Sequence, residues 1–314
     1  MVDLPWQDQI YPFLAGRIRS PLKRSVETLV GIPVREIRLR VGQRPQLVTA
    51  SGEAWVELPD GNLTFCDIWE TLQLISGMSV YAMEEQIKNG FITVRGGHRV
   101  GLGGTLIVED GEVRGFKSIT FLNIRLASQV LGAADAVLPR ILTGDRKGVL
   151  STLIVSPPGC GKTTMLRDLV RQCSTGRPDL GFAGLRVVVV DERSEIAACC
   201  EGVPQNDVGP RTDVLDACPK ARGLIMAIRS MGPQLLATDE VGGQEDCIAL
   251  REAALAGVSV AATAHASGMD DLMSRKTLGE IVREGLFARV VLLSSREGPG
   301  TIEKIVSCGG VESA

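Results

Sequence analysis

The stretch SPPGCGKTT (156–164) is made of small, flexible and cationic residues, the types that bind phosphate groups. It follows the apolar run STLIV (151–155) and precedes TTMLRDLVRQC (163–173), whose apolar residues recur at helical spacing. The phosphate-binding loop G-x-x-x-x-G-K-[ST] lies between a strand and a helix in the same way. The match departs from this pattern only at Ser156, which replaces the first glycine but is small enough for a strand end. The stretch therefore predicts a nucleotide phosphate site.

The predicted ligand of this loop is ATP with Mg²⁺. Backbone N–H groups of the loop and helix start are expected to hold the phosphates. Lys162 is expected on the β- and γ-phosphates, and the Thr163 hydroxyl on Mg²⁺. An ordinary helix cap is the alternative, but the helix dipole repels a lysine at that position unless an anion lies between them. The predicted nucleotide-binding residues are Ser156, Pro157, Pro158, Gly159, Cys160, Gly161, Lys162, Thr163 and Thr164.

A second group of candidate residues lies in QLLATDE (234–240), where an acidic pair follows a mostly apolar run. In P-loop enzymes a strand of this kind carries the aspartate that holds Mg²⁺. We therefore expect Asp239 to bind Mg²⁺ through water, with Thr163 as the other metal-binding residue. Glu240 is expected to orient or deprotonate the attacking water. A solvated acidic pair at the surface is the alternative.

A third group is the acidic segment VVVVDERSEI (187–196), in which Asp191, Glu192 and Glu195 follow a run of valines. Ligands of open α/β sheets bind beyond the carboxyl ends of the strands, so these acids are expected beside the phosphates. Glu192 or Glu195 is expected to support the metal or its water shell. A solvated loop paired with Arg193 is the alternative, and the division of roles among the acids stays open.

His265 is the fourth candidate, at the end of the apolar run SVAATAH (259–265). Its position at the same expected sheet edge favours a catalytic role, because imidazole exchanges protons near neutral pH. A structural histidine that packs against the sheet is an equally good interpretation.

The second half of the chain alternates apolar runs with segments of helical periodicity, which predicts an α/β fold with a mainly parallel sheet and helices on both faces. The expected strands are 151–155, 186–191, 234–240, 259–265, 289–294 and 301–306, and the expected helices are 163–173, 224–230 and 246–257. This alternation positions the four candidate groups, because the carboxyl ends of parallel strands share one edge.

The first half predicts a smaller α+β domain. Residues 35–58 alternate with period two between turn sequences, and 91–116 reads as a meander with Gly and Asp-Gly turns. Helices are expected over 66–78 and 81–90. The boundary is expected in the polar segment LTGDRKG, which predicts an N-terminal domain over 1–145 and a P-loop domain over 146–314.

Composition predicts a globular protein whose cysteines are free thiols. The formal net charge is −3 and aromatic residues make up 4% of the 314 residues, so nucleic acid is not a favoured partner. The eight cysteines include no C-x-x-C pair, which favours free thiols over a zinc site. We see no signal peptide and no apolar run of about 18 residues, and expect a cytoplasmic chain that meets a membrane only through a partner.

The order of these groups along the chain resembles that of the secretion and pilus-motor ATPases. EIRLRVGQRPQLVTASGE (36–53) is similar to the start of their N-terminal domain, and GGHRVGL and LNIRLAS to segments with arginines that face a neighbour's nucleotide. The resemblance implies a RecA-like P-loop NTPase core and a homo-oligomeric ring of six subunits. It also implies catalytic roles for Arg99 and Arg125.

A denser resemblance is to the family of stage III sporulation protein AA. It is carried by YAMEEQIKNGFITVRGGHRVGLGG, SPPGCGKTT, VVVVDERSEIAA, TDEVGGQED and SSREGPGTIEKI, which span nearly the whole chain. The resemblance implies a cytoplasmic ATPase of the mother cell in endospore-forming bacteria. It also implies a role in energising a secretion-like channel complex between mother cell and forespore, with the cytoplasmic face of that complex as partner.

The chain departs from the motor ATPases after Glu240, where Gly242 and Gly243 stand in place of an expected arginine. Arg229 and Arg296 are alternative sources of that positive charge. Three other functions compete with the motor. A nucleic-acid-stimulated RecA-like ATPase requires a basic, aromatic groove, which the composition disfavours. A small-molecule kinase requires a lid segment, and none is evident. A nucleotide-gated scaffold with negligible turnover is disfavoured by the presence of Glu240.

Overall fold

The computed structural model describes residues 5–49, 51–77, 87 and 90–308. The chain divides into two compact units, Met1–Ser128 and Gln129–Ala314. Most of the helix expected over 81–90 lies outside the described residues. None of the helices in the described part of the chain is long and apolar enough to cross a membrane.

The first unit consists of helices beside an antiparallel sheet. Its helices are α1 (Trp6–Ile10), α2 (Gly16–Glu27) and α3 (Phe65–Ile75), and its strands are β1 (Val34–Arg40), β2 (Gln46–Thr49), β3 (Gly52–Trp55), β4 (Phe91–Val94), β5 (His98–Glu109) and β6 (Glu112–Arg125). The strand order is β3-β2-β1-β6-β5-β4. All neighbouring pairs are antiparallel, as the period-two alternation predicted.

The core of the first unit lies between one face of this sheet and the helices. Ile37 and Ile124 form a register pair on β1 and β6, and they pack with Leu22 of α2 and Leu72 of α3. Helix α3 begins with a capping box, in which the Thr64 hydroxyl accepts from the Asp67 N–H and the Asp67 carboxylate accepts from the Thr64 N–H.

The second unit is an α/β layer structure. Its helices are α4 (Leu138–Ile141), α5 (Lys162–Thr175), α6 (Lys220–Ser230), α7 (Gln244–Leu255), α8 (Met269–Ser274) and α9 (Lys276–Arg283). Its strands are β7 (Thr152–Ser156), β8 (Val187–Asp191), β9 (Thr212–Asp216), β10 (Leu235–Thr238), β11 (Ser259–His265), β12 (Arg289–Ser294) and β13 (Thr301–Ser307). The order is β13-β12-β7-β11-β10-β8-β9, and all pairs are parallel except β12 with β13.

Hydrophobic layers cover both faces of this sheet. Val187 and Val189 belong to the layer that contains α5, whereas Val188 and Val190 belong to the layer that contains α6, α7 and α9. The strand side chains alternate between the two layers, which explains why β8 is apolar at every position before Asp191. The parallel sheet covered on both faces confirms the predicted fold class. Strand β9 and helices α8 and α9 were not predicted.

The division between the units lies at Ser128, earlier than the expected end of the first domain at 145. The intervening segment belongs to the second unit because its apolar side chains are buried there. Ala134 and Ile141 are among the buried residues that pack in the layer containing α5. The Ala134 N–H also donates to the buried Asp168 carboxylate at 2.8 Å.

Candidate nucleotide site

The predicted phosphate loop connects β7 to α5. Gly159 and Gly161 both have positive φ angles, 74° and 85°, which side chains other than glycine rarely adopt. A Cβ atom at Gly161 would also lie 2.9 Å from the backbone nitrogen of Gly300. The Gly300 N–H donates to the Cys160 carbonyl at 2.9 Å, so the β12–β13 loop supports the phosphate loop from outside. The first N–H groups of α5 have no partner within the helix and are directed at this loop.

The Lys162 ammonium lies within the concave side of the loop. Its Nζ donates to the carbonyls of Ser156 and Pro157, each at 3.2 Å, and to Nδ1 of His265 at 3.0 Å. The residue is 6% exposed, and burial lowers the pKa of this lysine against the opposing charges of Asp239 and Glu240. Its neutral hydrogen-bond partners leave a buried cation near the helix N-terminus, where an anionic ligand is electrostatically favoured.

Asp239 joins the phosphate loop to the neighbouring strands. Its Oδ2 accepts from the Thr163 hydroxyl at 2.7 Å, and its Oδ1 accepts from the Thr263 hydroxyl and from the Glu240 N–H. Hydroxyl and carboxylate oxygens are the ligands that Mg²⁺ uses in nucleotide sites, directly or through water. The two residues predicted to bind the metal are therefore in direct contact.

Glu240 is held by groups from several elements. Its Oε1 accepts from Nε2 of His265 at 3.0 Å, and its Oε2 accepts from Arg193 at 2.7 Å. Although burial opposes it, the hydrogen bond from His265 and the charge of Arg193 lower the pKa of Glu240. Its φ angle of 49° is unusual for glutamate and is stabilised by a hydrogen bond of 2.8 Å from its N–H to the Thr263 hydroxyl.

The hydrogen bonds of His265 determine which of its nitrogens carries the proton. Lysine has only donors, so Nδ1 accepts from Lys162 and Nε2 donates to Glu240. The sequence left open whether His265 is structural or catalytic. The structure places it between the predicted phosphate-binding cation and the predicted catalytic carboxylate.

Asp191 is almost fully buried at the edge of the site, and its carboxylate is taken up by backbone N–H groups. It is 1% exposed, and its carboxylate accepts the N–H groups of Glu195, Ile196 and Ala197 at 2.8–3.0 Å. Burial raises the pKa of Asp191 to about 6, against the lowering effect of these hydrogen bonds. The residue closes a tight turn after β8, and it lies on the wall of the cavity that Asp239 and Glu240 also line.

The other two acids of this segment line a cavity of about 200 Å³. Its walls are Asp191, Glu192, Arg193, Glu195, Lys220, Asp239 and Glu240. Glu192 pairs with Lys220, its Oε2 lying 3.6 Å from Nζ. The solvated-loop alternative paired these acids with Arg193. In the structure, Arg193 forms an ion pair with Glu240, and Lys220 forms one with Glu192.

Two basic residues at this site were missed in the sequence. The Lys220 Nζ donates to the Glu240 carbonyl at 2.8 Å, and Arg167 donates to the carbonyls of Ile196 and Glu195 at 2.6 Å. Lys220 is the first residue of α6 and is buried. A cation at a helix start is the same signal that pointed to Lys162, and it was available here too. Arg167 lies within a regular helix and gave no such signal.

The two predicted arginines belong to the first unit, where they lie opposite each other on β5 and β6. The Arg99 guanidinium stacks over the Phe91 ring at 3.9 Å, and Nε of Arg125 lies 3.8 Å from Glu36. Of the alternative cations, Arg229 is exposed on α6, and Arg296 lies in the β12–β13 loop and pairs with Glu297 and Glu303.

The donor set of the second unit fits a magnesium nucleotide. The buried Lys162, the N–H groups at the start of α5 and the open space around Gly159 suit a phosphate chain. Within the described residues, no group of three or more His, Cys, Asp and Glu side chains is arranged to hold a metal by itself. This agrees with the mode of Mg²⁺ binding in which one or two protein oxygens act together with substrate phosphates.

The fold defines the second unit as a RecA-like P-loop NTPase core, preceded by an α+β unit. The family model described as "Sporulation stage III, protein AA" matches residues 5–312, and the chain belongs to this family. Stage III sporulation protein AA of Bacillus subtilis (strain 168) is 43% identical over 279 residues, which are 89% of this chain and 88% of that protein. The predicted family is confirmed.

Solved structures with the same fold include the ATPase DotB and the pilus retraction motor PilT. The ATPase DotB of Yersinia pseudotuberculosis superposes with a TM-score of 0.60 at 14% identity, over 92% of this chain and 79% of that one. The pilus retraction motor PilT with bound ADP superposes with a TM-score of 0.56 at 16% identity, over 86% and 76%. The chain therefore has an ATPase fold shared with the secretion and pilus ATPases.

Proposed function

We propose that this protein hydrolyses ATP with Mg²⁺ and uses the energy to move its two domains. In this proposal it energises a secretion-like channel complex between mother cell and forespore during sporulation. The observation that carries the proposal is the hydrogen-bonded chain from Lys162 through His265 to Glu240, with Asp239 and Thr163 in contact beside it. These hydrogen bonds link the residues predicted for phosphate binding, metal binding and water activation.

The residues of the second unit account for binding and for water activation. Lys162 exchanges its carbonyl partners for phosphate oxygens, and the N–H groups at the start of α5 hold the rest of the phosphate chain. Thr163 and Asp239 would provide oxygens for Mg²⁺, which would supply neutralisation of phosphate charge when bound. Glu240 orients the attacking water and accepts its proton, with Glu192 or Glu195 supporting the water shell.

His265 and Arg193 keep Glu240 ready for this role. Both donate to its carboxylate, so the side chain is fixed and its lowered pKa keeps it ionised at neutral pH. An ionised carboxylate is required for a residue that accepts a proton from water. When a phosphate draws Lys162 away, Nδ1 of His265 loses its donor, which couples ligand binding to the position of Glu240.

Arg99 and Arg125 complete the proposed site from a neighbouring copy. The resemblance to the motor ATPases, in which the matching arginines face a neighbour's nucleotide, supports this role, and the register pairing of the two residues places them side by side. Arginines supplied in this way accelerate phosphoryl transfer by roughly 10³–10⁵-fold. We propose a ring, hexameric as the resemblance to motor ATPases implies, that acts at the cytoplasmic face of the membrane complex. Its hydrolysis cycle would close and reopen the two domains.

The test is the steady-state rate of ATP hydrolysis against protein concentration, for the wild type and Glu240→Gln, with light scattering on the same samples. We expect the rate per subunit to rise as larger species form and to disappear in the variant. The variant should still bind ATP, because Glu240 is expected to act on the attacking water and is not one of the predicted phosphate-binding residues. A rate that is independent of concentration would contradict shared sites.

The same experiment decides between the motor and its alternatives. ATP binding with negligible turnover in every assembled state would favour the nucleotide-gated scaffold. Stimulation of hydrolysis by single-stranded DNA, lost at high salt, would favour the nucleic-acid-dependent ATPase. Neither result is expected, because the site retains Glu240 and the chain is acidic.

A further inference from the structure

Strands β5 and β6 extend past their neighbours as a two-stranded arm, residues 105–118. Pairing of β4 with β5 ends at Gly101, and pairing of β1 with β6 ends at Phe121. Among the residues that the structure describes, the arm strands pair only with each other. A lone two-stranded ribbon is marginally stable in water, so this arm is expected to pack against something.

The surface of the arm combines exposed aliphatic side chains with carboxylates. Four of its large apolar residues are 41–57% exposed, namely Leu106, Ile107, Val108 and Val113, whereas Phe116 packs against the core of the first unit. Glu109, Asp110 and Glu112 lie at the tip, where Arg114 is the neighbouring cation at 3.9 Å from Glu109 and 3.4 Å from Glu112. The tip (109–114) therefore carries three carboxylates and one guanidinium, and an exposed apolar patch rimmed by charged residues marks a contact surface.

A groove of about 650 Å³ lies in the second unit between α6 and α7. Its apolar lining includes Met226, 47% exposed, and Ile248, 52% exposed. Arg222 and Arg229 also line it. In the part of the chain that the structure describes, neither guanidinium has a hydrogen-bond or ion-pair partner. Glu245 is the third charged residue of the lining, so the groove offers an apolar surface with two guanidinium groups and one carboxylate, a net positive rim.

We propose that the arm of one copy docks in the α6/α7 groove of a second copy. Aliphatic residues of the arm would cover the apolar groove, and the carboxylates at its tip would meet Arg222 and Arg229. The two surfaces differ, so the contact is head-to-tail and can close into a ring. This inference rests on the proposed function, because that function requires a neighbour to supply arginines.

Charge disfavours the other occupants. Contact between two arms would bring the acidic tips together, which is unfavourable. An acidic tip is also repelled by nucleic acid and by the anionic surface of a membrane. The groove carries the complementary charge on the same chain, which selects a second copy as its partner.

The test uses two variants, Val108→Asp on the arm and Met226→Asp in the groove. Both side chains are about half exposed, so both variants should fold like the wild type. Each variant alone should associate at least about a hundredfold more weakly in light scattering, because it buries an unpaired charge. Val30→Asp and Leu255→Asp are matched controls at exposed apolar positions outside both surfaces, and they should assemble normally.

Mixing the two variants separates a head-to-tail contact from other modes. The intact arm of Met226→Asp fits the intact groove of Val108→Asp, so the mixture should form one-to-one dimers and nothing larger. A mixture that stays monomeric, or a groove variant that assembles like the wild type, overturns the proposal. A photo-crosslinker at position 108 should give a product with twice the chain mass, joined at α6 or α7. A cross-link within one chain overturns the proposal.

Failure of this contact and failure of the proposed function give different results. If the wild type forms head-to-tail assemblies but hydrolyses no ATP, the contact stands and the proposed function fails. If both variants keep the concentration-dependent hydrolysis of the wild type, the proposed function stands and the contact is overturned. Glu240→Gln should assemble like the wild type, because it alters neither surface.

Discussion

Two adjacent strands of the second unit each have an Asp-Glu dipeptide at their carboxyl end, and the two dipeptides have different surroundings. Strand β8 ends at Asp191, before Glu192, and β10 is followed by Asp239 and Glu240. Asp191 is enclosed by backbone N–H groups, whereas Asp239 accepts from hydroxyl groups of the phosphate loop and of β11. The same sequence at the same sheet edge therefore serves a turn in one case and the candidate site in the other.

The chain that follows each strand accounts for the difference. After β8 it turns back at once, and residues 195–197 place three N–H groups on the Asp191 carboxylate. After β10 the left-handed conformation of Glu240 redirects the chain towards β11, so its side chain reaches His265. Position at a sheet edge provides candidates for chemistry, and the next few residues decide which of them face a ligand.

Asp239→Asn should show most clearly that Asp239 and Asp191 have different roles. The amide removes the negative charge beside Thr163 that the proposed metal requires, so ATP turnover should fall by about 10²–10³-fold. Hydrolysis measured over a range of Mg²⁺ concentrations is the readout, with the thermal midpoint as the control for folding. Turnover within about threefold of the wild type would place the metal-binding oxygens elsewhere.

Asp191→Asn should act on stability instead. The pKa of Asp191 in the folded protein is about 6, against an ordinary value of 3.8. Its contribution to the free energy of unfolding is therefore fully present below pH 3.8 and is lost as the pH rises through 6. A shift of this size corresponds to about 3 kcal/mol. Urea unfolding between pH 4 and 7 should show the wild-type free energy of unfolding falling relative to the variant. A constant difference across this range would contradict the assignment.

The sequence predicted most of the second unit because its signals are local and repeated. Strands β8, β11 and β12 are dense apolar runs, and helix α5 has clear periodicity after a glycine-rich loop. Strand β9 (TDVLD) escaped prediction because it lies at the sheet edge and is half polar. Helices α8 and α9 are short, and their burial depends on tertiary packing that sequence spacing does not reveal.

The candidate site was predicted in its composition and only partly in its geometry. The phosphate loop and the contact between Thr163 and Asp239 follow from one motif and the topology of parallel strands. The turn around Asp191 depends on backbone N–H groups and not on particular side chains, so no residue type in the sequence predicts it. Lys220 approaches Glu240 because α6 begins beside β10, a contact between elements that the sequence does not specify.

His265→Gln tests whether the histidine acts through Glu240. Its Nε2 fixes the Glu240 carboxylate, so the variant should lower turnover by about tenfold while ATP binding stays close to the wild type. The double variant with Glu240→Gln should be no slower than Glu240→Gln alone, because both changes remove the same function. Additive losses would assign His265 a separate role.

Glu192→Gln should have the smallest effect, and it tests the comparison directly against Glu240→Gln. Glu192 is half exposed and its partner is Lys220 at 3.6 Å, a pair of the kind that contributes about 0.2–1 kcal/mol. Turnover should therefore fall by less than about fivefold in steady-state hydrolysis. Glu240 has His265 and Arg193 on its carboxylate and a left-handed backbone, none of which is expected for a solvated acid. Equal losses of turnover in Glu192→Gln and Glu240→Gln would mean that both Asp-Glu pairs act in the reaction. The Asp-Glu pair at the end of β8 would then be part of the catalytic site and not only of a turn.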